Sequence, residues 1–285
     1  MNSLIFIFGS GWAFFISIGL LIATPFCAQC KSWLLNRLSG VFFLLGILIA
    51  AISSTPLPIW LWVGLGIACV AWLISSITQK FLNQALLLYF SIVAFALFHE
   101  SQWHWLPALT PANEQTLVVV GDSVTAGTGA NDKSNKWPNL IERDYGVRID
   151  NRSVPGAKCS TALKQLQAEP VLSPNLFLEI GGNDLLGSTS NEKFEHDLEQ
   201  LLRYICRPSR QVIMFELPLP PLRNRYGMIQ RRLAGKYGVQ LVPKRLFVAV
   251  LTAENSTIDS VHLTQVGHER MAKTVWQSIH PIFGK

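Results

Sequence analysis

The sequence predicts two unlike parts. Residues 1–99 read as an all-α membrane region of about four transmembrane helices, and residues 116–285 as an α/β domain, a three-layer α/β/α sandwich on a parallel sheet. Three observations carry this expectation. Of 24 lysines and arginines only Lys31, Arg37 and Lys80 precede Gln115, and of 18 acids only Glu100 and Glu114 do. Four long apolar stretches fill that charge-poor part. From Thr116 onward, short apolar runs alternate with helical patterns, as in βαβ units. A chain that is 49% hydrophobic and 15% charged, with its charges so segregated, is not a uniform soluble protein.

The apolar stretches are residues 4–24, 38–57, 58–77 and 81–98. Crossing about 30 Å of hydrocarbon takes roughly 20 apolar residues, which the first three reach. The fourth is shorter and carries Asn83 and Gln84 near its start, so it is the least secure. The first lacks the positive n-region of a signal peptide and is followed by more membrane, so it reads as a span. No ionisable residue falls inside the four stretches, so the region carries no proton relay or ion path and reads as an anchor in the bilayer.

Lys31 and Arg37 lie between the first and second stretches and Lys80 between the third and fourth, while the second connection is uncharged. Because lysine and arginine mark the cytoplasmic side, the α/β domain is expected on the extracytoplasmic, periplasmic side. Trp60, Trp62, Trp103 and Trp105 fall on that side, where aromatic anchors sit. Loss of the fourth span would invert this. Residues 100–115 mix polar, aromatic and proline residues and read as an interfacial linker, with His104 at headgroup level. Cys27 and Cys30 have redox-motif spacing but no surrounding βαβ pattern or nearby histidines, so they read as incidental.

In the second part, apolar runs end at Gly121, Asn151, Gly181, near Pro218 and around Val242, as buried parallel strands do. Helical patterns cover residues 137–145, 161–168, 193–204, 226–237 and 265–280. Of the net charge of +6, five units belong here, but the signs alternate and form no basic arm, so nucleic acid is not an expected partner. The basic run Arg223, Arg225, Arg231, Arg232, Lys236, Lys244 and Arg245 reads as a solvated face, with contact to anionic headgroups or an acidic glycan as the alternative. Cys159 and Cys206 fall at opposite edges of the expected sheet, too far apart to pair, and are expected as free thiols.

Ligands bind beyond the carboxyl ends of the strands in an open parallel sheet. There the sequence places Gly121-Asp122-Ser123, Asn151 to Gly156, Gly181-Gly182-Asn183-Asp184 and, before the last helix, Asp259-Ser260-Val261-His262. A serine hydroxyl becomes a nucleophile when a neighbouring base takes its proton, which assigns Ser123 and His262. Asp259 is placed to bind the other ring nitrogen and fix its tautomer. The backbone N–H groups of Ser123 and Gly156 and the side-chain amide of Asn183 are the expected donors to the developing oxyanion.

These residues resemble the four sequence blocks of the GDSL, or SGNH, hydrolase superfamily over residues 116–280, with Ser123, Gly156, Asn183 and His262 as its named residues and Asp259 as its third triad member. The resemblance is nearest to the periplasmic thioesterase and lysophospholipase subgroup, through Trp137-Pro138, Glu179 and Leu217-Pro218. Ala157-Lys158-Cys159-Ser160 stands where that subgroup has a shorter Asp-Thr-Ser, and the membrane region is outside its pattern. The resemblance implies ester hydrolysis through an acyl-serine with no metal or organic cofactor; joined to the membrane region, it leads to the expectation of a multi-pass membrane esterase that removes acyl groups from an envelope lipid or acylated glycan. Acyl transfer to a glycan hydroxyl is the alternative, and a non-catalytic membrane assembly or binding protein the third reading. Protein partners are unspecified.

An α/β-hydrolase elbow is disfavoured because Thr125 stands where its second glycine belongs. Glu179 and Glu216 are expected to support the strand edge rather than to act as a glycosidase pair. His262 and His268 lack further metal ligands at suitable spacing, and His268 is expected to be structural.

Overall fold

The computed structural model describes all 285 residues except 1, 2, 113, 115, 130, 131 and 285. The chain divides into two compact units, one of residues 1–6, 105–218 and 225–285, the other of residues 7–104 and 219–224.

Helices supply the second unit. They are α2 (Trp12–Ala28), α3 (Trp33–Ile52), α4 (Ile59–Thr78) and α5 (Leu82–Ser101), with the end of α1 (Ser3–Gly9) from residue 7 on. Among the described residues three helices are long and apolar enough to cross a membrane, or up to four spans form if α1 and α2 count as one. The expected first span is broken: α1 and α2 meet at 82°, where Gly11 takes the left-handed conformation at φ +88°. A glycine tolerates that conformation without strain, so the flanked Ser10 becomes a corner rather than a helical residue. The fourth stretch, expected to be the least secure, is instead an unbroken 20-residue helix.

That helix also runs further than expected and takes in Glu100, so the candidate span Leu82–His104 is not free of ionisable groups. Glu100 is fully buried, with the His104 ring nitrogen 3.7 Å from its carboxylate. The His104 ring packs on Phe15 and Trp12. Within the unit Phe14, Leu61, Trp72, Tyr89 and Val93 pack together, and the Tyr89 hydroxyl donates to the Leu21 carbonyl at 2.9 Å. Outward-facing Leu44, Ile67, Leu87 and Phe98 are more than half exposed, as lipid-facing side chains of a span are.

The other unit is a parallel sheet of β1 (Thr116–Gly121), β2 (Arg148–Asn151), β3 (Asn175–Glu179), β4 (Gln211–Phe215) and β5 (Gln240–Val242) in the order β2-β1-β3-β4-β5. The helices are α6 (Ser123–Ala126), α7 (Trp137–Tyr145), α8 (Cys159–Ala168), α9 (Gly182–Leu186), α10 (Asn191–Ile205), α11 (Asn224–Tyr237), α12 (Lys244–Thr252) and α13 (Gln265–Ile279). One sheet face buries Leu117, Val119, Phe177, Ile213 and Phe215 under Trp137 and Ile141 of α7, Phe247 of α12 and Met271 and Val275 of α13. Successive strand residues point to opposite faces. The alternates Val118, Val120, Leu176, Leu178 and Met214 are buried on the other side, the side of α8 and α10. This is the expected three-layer sandwich. Leu109 and Ala112 also pack on this unit, and the Ala112 N–H donates to the Ile282 carbonyl at 2.7 Å.

Most of the basic run is a solvated face, as expected: Arg223, Arg225, Arg232 and Lys236 are exposed. Glu192, Glu195 and Glu199 stand one helical turn apart on α10 and pair with Arg225, Arg232 and Lys236 of α11. Arg231 is buried and bonds the Glu216 carboxylate at 2.7 Å, and Lys244 is buried beside it, its N–H 3.4 Å from the other Glu216 oxygen. Glu216 therefore supports the strand edge, as expected. Cys159 and Cys206 are free thiols.

His268 lies on α13 with no exposure, and among the described residues neither ring nitrogen has a hydrogen-bond partner. Burial, reinforced by the nearby Lys136 cation, lowers its pKa from 6.5 to about 4. The unfolded chain therefore binds a proton that the folded one rejects between those values, and stability drains away as pH falls through that window. Thermal melts of the detergent-solubilised protein should show the wild type losing stability from about pH 6.5 to about pH 4, with that slope reduced in His268→Leu.

Candidate active site

The site forms where β1 and β3 end side by side, with Gly121 paired to Glu179. Asp122 leaves the strand and caps α6, its carboxylate accepting from the Val124 N–H at 2.9 Å. Ser123 is thus the first residue of a short helix, 9% exposed. The turn is too tight for a side chain at Gly121, where a Cβ would lie 2.6 Å from the Thr125 hydroxyl and 3.0 Å from Glu179 Oε2.

Gly156 sits at φ +75° in the loop after β2. That loop is tied to β1 by the Val154 N–H donating to the Gly121 carbonyl at 3.0 Å. After β3, Gly181 adopts φ +106° and starts α9, which carries Asn183. Asn183 Nδ2 donates to Asp122 Oδ2 at 2.9 Å and to the Ala157 carbonyl at 3.1 Å. Both hydrogens of its amide are therefore engaged.

His262 arrives on a turn closed by a bridge between Thr257 and Leu263 and by the Ile258 N–H donating to the His262 carbonyl at 2.8 Å. Ser260 bends it at φ +77°, a left-handed conformation rare outside glycine. Asp259 Oδ1 accepts from the N–H groups of Val261 and His262 at 3.2 and 2.9 Å, and Oδ2 lies 2.7 Å from His262 Nδ1. These bonds, the His262 backbone N–H first, hold the Asp259 pKa down at about 2. A charged carboxylate accepts only, so Nδ1 carries the hydrogen and Nε2 is left as an acceptor. Ser123 Oγ lies 3.0 Å from that nitrogen.

The structure thus joins Ser123, His262 and Asp259 by hydrogen bonds, ties Asn183 to Asp122, the neighbour of Ser123, and places Gly156 in the loop tied to the same strand end. Asp122, Thr125 and Glu179 also belong to this neighbourhood. Thr125 donates to Glu179 Oε2 at 2.9 Å and accepts from the Trp137 indole at 3.2 Å. Their signal was present in Gly-Asp-Ser and in the glutamate before Gly-Gly-Asn-Asp, but nothing in the spacing joined the two. In the segment that departs from the subgroup's pattern, Cys159 is buried and its N–H donates to the buried Asp184 carboxylate at 3.0 Å. Burial first, then Asp184, pushes the Cys159 thiol well above the ordinary range. Among the described residues no group of three or more His, Cys, Asp or Glu is placed to hold a metal ion.

A serine, a histidine and an aspartate joined in this way at the carboxyl edge of an α/β/α sandwich define an SGNH-type ester hydrolase. Residues 119–270 match the GDSL-like Lipase/Acylhydrolase family, more than half of the chain, and the chain belongs to it. It is 27% identical over 186 residues to Esterase TesA of Pseudomonas aeruginosa strain PAO1, covering 60% of this chain and 90% of TesA. It is 25% identical over 201 residues to Thioesterase 1/protease 1/lysophospholipase L1 of Escherichia coli strain K12, covering 64% of this chain and 94% of that protein. A crystal structure of TesA superposes with a TM-score of 0.51 at 25% identity, covering 59% of this chain and 99% of TesA. The psychrotrophic esterase EstA from Pseudoalteromonas sp. shares the fold, with a TM-score of 0.53 at 16% identity, covering 60% of this chain and all of EstA.

The histidine turn depends on one close approach. A Cβ at Gly267 would lie 2.0 Å from the Ser256 carbonyl oxygen, at the base of that turn, and backbone must move to admit it. Gly267→Ala should therefore lower the melting temperature and displace His262, cutting ester turnover by more than the folded fraction alone accounts for. Activity per folded molecule, with the folded fraction taken from circular dichroism, checks this.

Proposed function

We propose that the protein is a membrane-anchored serine hydrolase that removes acyl groups from an envelope lipid or acylated glycan. In this reading residues 1–99 are the membrane region, residues 100–115 the linker and residues 116–285 the catalytic domain. The supporting observation is the continuous chain from Ser123 Oγ to His262 Nε2 at 3.0 Å and from His262 Nδ1 to Asp259 Oδ2 at 2.7 Å.

The reaction runs in two halves. His262 Nε2 takes the Ser123 proton as Oγ attacks the ester carbonyl carbon, and the carbonyl oxygen becomes an oxyanion. The oxyanion is held by the N–H groups of Ser123 and Gly156 and by Asn183, whose second amide hydrogen leaves the Ala157 carbonyl for it. Collapse expels the alcohol or thiol, protonated by His262, and leaves an acyl-serine. Water, deprotonated by the same nitrogen, then attacks the acyl carbon and releases the acid and free Ser123. Asp259 keeps the imidazole in the required tautomer and balances the imidazolium charge. The relatives named esterase and thioesterase/lysophospholipase support this acyl chemistry, and the apolar helices support a substrate pool at the membrane.

A chromogenic short-chain ester assay on the full chain in detergent tests the chemistry. Ser123→Ala should lose at least about 10³-fold in kcat, and Asn183→Ala about 10²- to 10³-fold, the usual cost of one oxyanion donor. Wild-type rates in Ser123→Ala would end this reading. The proposed side rests on Lys31 and Lys80, exposed in the connections after α2 and α4, and on Arg37, exposed near the start of α3. A reporter fused after Lys285 should be active in its periplasmic form and silent in its cytoplasmic one. The opposite pattern would move the substrate pool to the cytoplasm and leave the chemistry standing.

A further inference from the structure

Two carboxyl groups lie against the Asn183 amide, and neither takes a step in the chemistry above. Asp122 and Glu179 are 3% exposed each, at the ends of adjacent strands. The Asp122 N–H lies 3.3 Å from Glu179 Oε2, so the two buried carboxyl groups adjoin, and two like charges that close out of water are not both kept: one of the pair holds a proton. The surrounding donors decide which one. Both oxygens of Asp122 are taken by N–H donors, Oδ1 by Val124 and Oδ2 by Asn183, each at 2.9 Å. Those bonds suit a charged acceptor.

At Glu179 the donors converge on Oε2 alone. The Trp137 indole can only donate, so the Thr125 hydroxyl that accepts from it at 3.2 Å is left to pass its own hydrogen to Oε2 at 2.9 Å. The Asp122 N–H lies 3.3 Å from the same oxygen. Among the described residues no donor is aimed at Oε1, which is where a proton fits.

We propose that Glu179 is a neutral acid that donates its proton to a charged Asp122, and that this pair is a positioning device that holds the Asn183 amide for the oxyanion. This rests on the reading of Asn183 as an oxyanion donor. Burial pushes both carboxyl groups up, and at Glu179 the Asp122 charge adds to it, which lifts that acid well above the carboxylate range. At Asp122 burial is countered by the Val124 N–H, Glu179 and His262, with Asp184 pushing the other way, so the rise there is the smaller one. Asp122 holds one amide hydrogen of Asn183 and so fixes the plane of the amide, which aims the other at the site. Neither acid touches the reacting atoms.

The same chemical change, acid to amide, therefore has opposite consequences at the two positions. Glu179→Gln keeps a neutral donor and should hold kcat within about threefold of wild type. Asp122→Asn loses the charged acceptor and should cost about tenfold or more in kcat with KM little changed, a fraction of what a whole donor is worth. Both substitutions preserve shape, and the full chain in detergent is the enzyme to assay.

In an Asn183→Ala background the Asp122→Asn loss should shrink to less than about twofold, because a residue acting through Asn183 has nothing left to position. A merely structural role gives additive losses instead. Equal losses in Glu179→Gln and Asp122→Asn, the reverse order, or additivity with Asn183→Ala would overturn the proposal while Ser123→Ala remains inactive. Turnover surviving Ser123→Ala would overturn this proposal together with the reading beneath it.

Discussion

The pairing of β1 with β3 is the constraint on which the site depends. Val118, Val119, Val120 and Gly121 stand opposite Leu176, Phe177, Leu178 and Glu179, so the two central strands end flush. Beyond that line, each chain turns at once into a short helix, α6 carrying Ser123 and α9 carrying Asn183. A parallel register slipped by one residue would turn every side chain of one strand to the opposite face. The apolar residues of both strands are buried on both sides, which makes such a slip expensive. Core packing therefore sets the distance between Ser123 and Asn183.

Much of this was legible in the amino-acid sequence for a physical reason. Strands buried on both faces read as unbroken apolar runs, and amphipathic helices read by their period, so all five strands and the helices α7, α8, α10, α11 and α13 were found within a few residues. The helix α12 was not, because its nine residues follow Pro243 and open on Lys244 and Arg245, which were read as part of a charge run. Helices of four and five residues such as α6 and α9 are shorter than the pattern that would reveal them. In the apolar region, composition reported where chain suits a membrane but not where it bends, since the corner beside Gly11 is a matter of two backbone angles.

Within the site, Ser123, His262, Asp259 and Asn183 were legible because their side chains carry distinct chemistry. The Ala157 carbonyl was not, since every residue has one and only the folded loop brings it to Asn183. The Asp122 and Glu179 contact is of the same kind: 57 residues separate the two, and strand register alone makes them neighbours. Rigidity in this region has a common origin. Gly121, Gly181 and Gly267 are places where backbone or side chain approaches too closely for an added Cβ to sit at ease. The site is built by omission of side chains as much as by their presence.

The pairing of Glu192, Glu195 and Glu199 with Arg225, Arg232 and Lys236 has a consequence for how substrate arrives. Opposite charges held a few ångströms apart project little potential beyond the Debye length, about 8 Å at physiological ionic strength. The densest basic segment therefore projects little charge of its own, and the formal excess of six positive charges is carried by bases outside those three pairs. Any long-range steering of a charged molecule comes from those other bases and not from the face shared by α10 and α11.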